Sequence, residues 1–144
     1  MRVITFAPSR SAVEDSEGGV SAQGFPMTSC YVDSLPTQIS LPMVVGVCAE
    51  GGTEYTPRLY IVATSPEGER VGAVELGWDW PDNPPVPMKY RVLAPHLPMR
   101  VPSTGMYTVG LYDSLDASLD AGATDTVFPL PVLKPNPLTG SGLA

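Results

Sequence analysis

Prolines and glycines recur so often along this chain that a long helix has little room to form. Of 144 residues, 17 are Pro and 14 are Gly. Relative to Ala, a helix interior loses about 1 kcal/mol for each Gly and about 3 kcal/mol for each Pro. Short strands joined by tight turns tolerate both. Between these breakers the apolar residues alternate. In 38–50 the odd positions Ile39, Leu41, Met43, Val45, Val47 and Ala49 are all apolar, which predicts a strand with that row facing a core. Leu59, Ile61 and Ala63 form a second row, with Tyr60 and Val62 making the other face apolar too. Ser65-Pro66-Glu67-Gly68-Glu69 is a turn sequence that joins 58–64 to 70–78 as a hairpin, with Gly72 a candidate bulge. Met88, Tyr90 and Val92 then alternate with Lys89, Arg91 and Leu93, after a Pro-rich loop over 81–87. Leu97 to Val101, Tyr107 to Leu111 and Phe128 to Val132 supply the last rows, and Val3 to Ala7 and Gly19 to Phe25 the first, with Arg10 to Gly18 a polar loop.

About eight short antiparallel strands with turns every 8–12 residues predict an all-β immunoglobulin-like β-sandwich. At most one short helix is expected, over 114–122, capped by Asp113 or Ser114 and stopped by Gly122. Pro129 and Pro131 lie two apart, so both missing N–H groups fall on one side of the final strand and make it an edge. Residues 1–133 read as a single domain and 134–144 as a C-terminal tail, in which Leu138 and Leu143 are the large apolar side chains and the expected contact points for a partner.

The segment PSTGMYTVGLYD, Pro102 to Asp113, resembles a late strand of immunoglobulin-like sandwiches in its Gly-x-Tyr-x-Val pattern. The resemblance implies that Gly105 belongs to the turn and that Tyr107 packs inward, its hydroxyl bonding back to the backbone. The cysteines and Trp of antibody domains do not map, so the likeness is to the wider sandwich class. The order of RVITFA, GGVSAQG, LPMVVGVCAE, RLYIVATSPEGERV, RVLAPHLPMRVPSTGMYTVGLYD and FPLPV also resembles an uncharacterised family of small bacterial and phage β-sandwich proteins. That resemblance implies a fold and no mechanism.

Charge removes some classes of partner. The net charge is −7, and the eight basic residues are scattered, with Lys89 and Arg91 the one close pair. Nucleic acid and anionic membrane both call for clustered Lys and Arg, so neither is an expected partner. The N-terminal apolar run is too short for a signal-peptide core, which takes ~7–15 residues. The expected location is cytoplasmic, or the virion if the protein is phage-encoded. Cys30 and Cys48 are expected as free thiols. Arg outnumbers Lys and Asn is scarce, as in GC-rich coding of actinobacteria or their phages.

Acid–base machinery is thin. His96 is the one histidine, set between Pro95 and Pro98, and no nucleophile motif accompanies it. Asp113, Asp116, Asp120 and Asp125 are spaced unlike a calcium loop. The sequence therefore predicts no enzyme activity, no cofactor and no metal. The most unusual cluster is Trp78, Asp79, Trp80 and Asp82. Exposed Trp beside carboxylates stacks sugar rings, whereas the plainer reading of both Trp residues is core or loop anchor. The function expected first is a non-catalytic interaction or assembly module with a protein partner or a homo-oligomer, such as a structural component of an actinobacteriophage particle. The alternatives are a small-ligand or carbohydrate-binding sandwich using the Trp78/Trp80 region, or an actinobacterial accessory or regulatory protein.

Overall fold

The computed structural model describes residues 1–52, 56–81, 86–119 and 124–135. Within them the chain is all-β. Eleven strands follow one another: β1 (Arg2–Pro8), β2 (Ser11–Glu14), β3 (Val20–Gln23), β4 (Cys30–Tyr31), β5 (Thr37–Glu50), β6 (Arg58–Thr64), β7 (Arg70–Gly77), β8 (Met88–Leu93), β9 (His96–Val101), β10 (Gly105–Tyr112) and β11 (Val127–Leu133). Nine of them form one continuous ladder in the order β1-β5-β9-β7-β6-β10-β11-β4, with β8 also on β5, while β2 and β3 pair separately. β1 comes into contact with β11, so the sheet curls back towards itself as a half-barrel. The strand count exceeds the expected eight, and the ladder is not divided into two separate sheets.

β5 organises this shape. Its first half pairs with β9 (Leu41 opposite Leu97) and its second half with β8 (Val45 opposite Leu93), in one unbroken register. β8 and β9 are thus a single arm interrupted at Ala94-Pro95, where Pro95 accepts from the Met43 N–H at 2.9 Å but has no N–H to return. The odd row of β5 is the core: Met43, Val45 and Val47 are fully buried, packed with Ile61, Leu97, Val109 and Leu130. The even residues Val44 and Cys48 are buried as well. Ile4 lies over Gly46 on that far face, and the β2–β3 hairpin packs against β5. In β8 the phase set by pairing with β5 turns Lys89 inward opposite Ala49 and Tyr90 outward opposite Cys48. Side-chain apolarity alone would have chosen the reverse.

Ser65 to Glu69 forms the turn read from sequence. The Gly68 N–H donates to the Ser65 carbonyl at 3.0 Å, and Gly68 takes φ +87°. The register slips between Ala63 opposite Gly72 and Thr64 opposite Arg70, so the bulge falls at Val71, beside Gly72. Gly72 is also the residue of β7 in register with β9, opposite Met99, and a Cβ there would run into the Pro98 carbonyl oxygen and stand 2.8 Å from the Met99 Cβ.

Three expectations need correction. Residues 10–18 are not all loop: Ser11–Glu14 is β2, and the polar run is only its turn, tied by Asp15 Oδ1 accepting from the Glu17 and Gly19 N–H groups at 2.9 Å each. The strand starting near Gly19 stops at Gln23, because Gly24 takes φ +62° and Pro26, two residues on, has no N–H to donate. The helix over 114–122 reduces to one 3₁₀ turn, Ala117–Leu119, with Ser114 Oγ accepting from the Ala117 N–H at 3.1 Å. Residues 120–123 lie outside the described residues.

The chain from Gly24 to Val32 bridges the open seam of the half-barrel. The Met27 N–H donates to the Pro8 carbonyl on β1 at 2.7 Å, and the Val32 N–H donates to the Leu133 carbonyl at the end of β11 at 2.9 Å.

Candidate functional site

The Trp cluster sits where β7 and β8 diverge. Trp78 and Trp80 are 9% and 6% exposed and meet edge to face, ring centres 5.6 Å apart and planes 68° to each other. Lys89 is also buried; its Nζ lies 5.5 Å from the centre of the Trp80 ring and donates to the Trp80 carbonyl at 3.3 Å. This pairing lets a charged side chain enter the wall of the core. A stacking platform needs a broad exposed ring face, and at this burial neither indole presents one to solvent. Beside them is an open depression of about 440 Å³, lined by Thr56, Arg58, Glu75, Trp78 and Asp79. Arg58 and Glu75 form an exposed ion pair at 2.8 Å on its wall. Among the described residues the buried Trp78 Nε1 finds no hydrogen-bond partner. Asp82 lies outside the described residues, as do Leu138 and Leu143.

Tyr107 is fully buried, and its Oη donates to the Ser103 carbonyl at 2.7 Å while the Ser103 N–H approaches the same oxygen at 3.4 Å. Gly105, between them, has φ +138°, and a Cβ would stand 2.8 Å from Cγ of Pro66. The turn therefore requires Gly both for its backbone angle and for the close approach of the 65–69 turn.

The remaining titratable groups are dispersed. His96 is exposed, and its Nδ1 lies 3.3 Å from Ser40 Oγ across β5 and β9. Among the described residues no three His, Cys, Asp or Glu side chains come together as metal ligands. Cys30 and Cys48 are free thiols, and burial pushes the Cys30 thiol above its ordinary pKa.

Sequence reading overlooked one surface, the outward face of β4, β11 and β10. Pairing places Met106 opposite Pro131, Thr108 opposite Pro129, Gly110 opposite Val127 and Tyr31 opposite Leu133, all on the side away from the core. Tyr31 is 61% exposed, Met106 53% and Val127 45%. Neither Gly105–Tyr112 nor Val127–Leu133 contains a charged residue. Arg70 donates to the Leu115 carbonyl at 3.0 Å and to Ser118 Oγ, which fixes the 3₁₀ turn so that Leu119, 79% exposed, extends the stripe past Val127. The signal was present in the sequence as apolar residues at the outward positions of the last two strands. Only the register shows that they line up across strands.

The edge of this face is blocked. The Leu111 N–H donates to the Thr126 carbonyl, so the even residues of 126–132 bond to β10 and the odd residues point their backbone groups to the open side. Pro129 and Pro131 are odd. β11 is not the last strand of the ladder, because β4 covers Val132 and Leu133, but along 127–131 its outer edge lacks two of its donors.

A second apolar area surrounds Cys48 on the far face of β5, where Met1, Ile4 and Tyr90 are exposed. It is interrupted by charge, since Arg2 lies opposite Cys48 and Glu50 opposite Met88. Among the described residues no helix is long and apolar enough to cross a membrane. No protein-family model matches the chain, and a search of curated proteins finds no significant match.

Proposed function

We propose that the chain is a non-catalytic protein-interaction module that binds through the outward face of β10 and β11. One observation carries this reading: in a chain of net charge −7, two adjacent strands that contain no charged residue leave Met106, Val127 and Leu133 in water. The largest apolar patch of a folded chain is often its contact site. Purification of a tagged chain from its native source, alongside Met106→Glu, tests the reading. A stoichiometric partner lost with Met106→Glu supports it; identical partners on both proteins contradict it.

The curled ladder is, in this reading, a variant of the immunoglobulin-like sandwich in which β5 passes from one layer to the other. The Tyr107–Ser103 bond supports that relation. A second reading, a small polyhydroxylated ligand in the depression beside Trp78, draws on the indole N–H that no described residue accepts, since an unpaired buried donor costs roughly 1–3 kcal/mol. Its test is a saturable change in Trp fluorescence with a sugar series; a flat response throughout removes it.

A further inference from the structure

We propose that the cavity between the 3₁₀ turn and the outward side of β6 and β10 binds a small organic oxyanion, a carboxylate or phosphate carried on a short apolar body. This site is separate from the interaction reading above and does not rest on it. Three observations point to this ligand.

The first is a convergence of hydroxyls without protein partners. β10 turns its even residues away from the core, and Thr108 lies opposite Thr64 of β6 on that outward side. Gly110 leaves room for Tyr112 to fold back over it, and a Cβ on Gly110 would stand 2.8 Å from Tyr112 Oη. Thr64, Thr108 and Tyr112 thereby line one cavity of about 270 Å³. Tyr112 is 5% exposed. Among the described residues its hydroxyl makes no hydrogen bond, and neither do those of Thr64 and Thr108. Buried hydroxyls are almost always paired, so a buried phenol on the wall of a cavity calls for a partner that enters it.

The second observation is charge. Arg70 reaches the same cavity from β7. Its Nη2 donates to the Leu115 carbonyl at 3.0 Å and to Ser118 Oγ, which fixes the guanidinium against the turn. Nε and Nη1 have no partner among the described residues, and Arg70 joins no ion pair there. Glu69 and Asp113 neighbour Arg70 and Tyr112 in sequence, yet neither lines the cavity. A fixed guanidinium beside three hydroxyl donors, with no carboxylate among the described walls, matches an oxyanion. The third observation is shape. Leu119 and Val127 supply apolar walls, and a bare phosphate would leave much of the cavity empty, so the anion carries an apolar body.

Isothermal titration calorimetry on the full chain tests this with phenyl phosphate, benzoate, inorganic phosphate and the neutral benzyl alcohol, at an ionic strength of about 0.15 M that screens distant charges. Phenyl phosphate or benzoate should saturate with a Kd on the order of 1 mM or tighter, at least roughly tenfold tighter than benzyl alcohol and inorganic phosphate. The tighter of the two identifies the head group. Arg70→Gln and Tyr112→Phe should each weaken the anion roughly tenfold, the size of one hydrogen bond to a charged group. Arg58→Gln removes the same charge outside the cavity and should leave affinity within about twofold. Because the Tyr112 hydroxyl has no protein partner among the described residues, Tyr112→Phe should melt within about 2 °C of wild type. Tyr112→Phe and Thr108→Val carry the test if Arg70→Gln unfolds. No saturable binding of either organic anion up to about 20 mM overturns the proposal. So does benzyl alcohol binding equally well, or an affinity that Tyr112→Phe leaves untouched. Inorganic phosphate binding as tightly as phenyl phosphate overturns the apolar body.

Discussion

Replacing Tyr107 by Phe removes one oxygen and keeps the ring. The Tyr107 hydroxyl donates to the Ser103 carbonyl at 2.7 Å and receives the Ser103 N–H at 3.4 Å, so both backbone groups of Ser103 lose a partner. Ser103 is half-buried, and water can reach part of what is lost. The cost therefore belongs at the lower part of the range for an orphaned buried group, about 1–2 kcal/mol. For a chain of this size that lowers Tm by about 3–8 °C. Tyr107→Ala adds a cavity in the fully buried row with Val109 and Leu130, and should cost about 3–5 kcal/mol. Urea titration of wild type and both variants, with equal m-values, measures the two costs separately. A Phe variant within about 0.3 kcal/mol of wild type would refute the claim that this bond fixes the turn at 102–105.

Gly72→Ala drives a methyl group into the Pro98 carbonyl oxygen and to 2.8 Å from the Met99 Cβ, and should destabilise by about 1–3 kcal/mol in the same titration, while Gly52→Ala, at φ +111° with no described atom within 4 Å of the new Cβ, tests backbone strain. The Cys30 thiol is raised by burial, so the folded protein holds this proton where the unfolded chain has released it; the contribution is present at neutral pH and fades as pH rises through the folded pKa. The stability gap between wild type and Cys30→Ala should therefore narrow above about pH 8.5, and a gap that widens would reverse the sign. Native alkylation should modify Cys30 before Cys48, which is 2% exposed. Melting with EDTA should match melting without it.

How much of this was legible beforehand differs from strand to strand. The odd row of β5 was, because six apolar residues alternate there without a break, and so was the 65–69 turn, where Pro66 and Gly68 leave few backbone choices. β2 was not: its four residues include only Ala12 and Val13 as apolar positions, beside an acidic turn that dominates the local composition. The phase of β8 was hidden because Lys89 is held inward by pairing with β5 and by the Trp80 ring, neither of which a local pattern contains. The Trp pair was legible as unusual but not as buried, since its burial depends on the two rings meeting each other and on Lys89 coming in from β8, which no local pattern contains. The β10–β11 face was hidden for the same kind of reason. Alternation marks which residues point away from the core, but not whether anything covers them.

Peroxide oxidation followed by mass spectrometry tests the central claim directly, because the methionines report on different places. Met43 and Met99 are buried controls, Met1 belongs to the charged patch near Cys48, and Met106 stands exposed on the outward face of β10. The oxidation rate of each is compared between dilute protein and the assembled or partner-bound state. The account predicts that assembly protects Met106 strongly and leaves Met1 unchanged. Protection of Met1 with Met106 still freely oxidised would place the contact on the other face and contradict it.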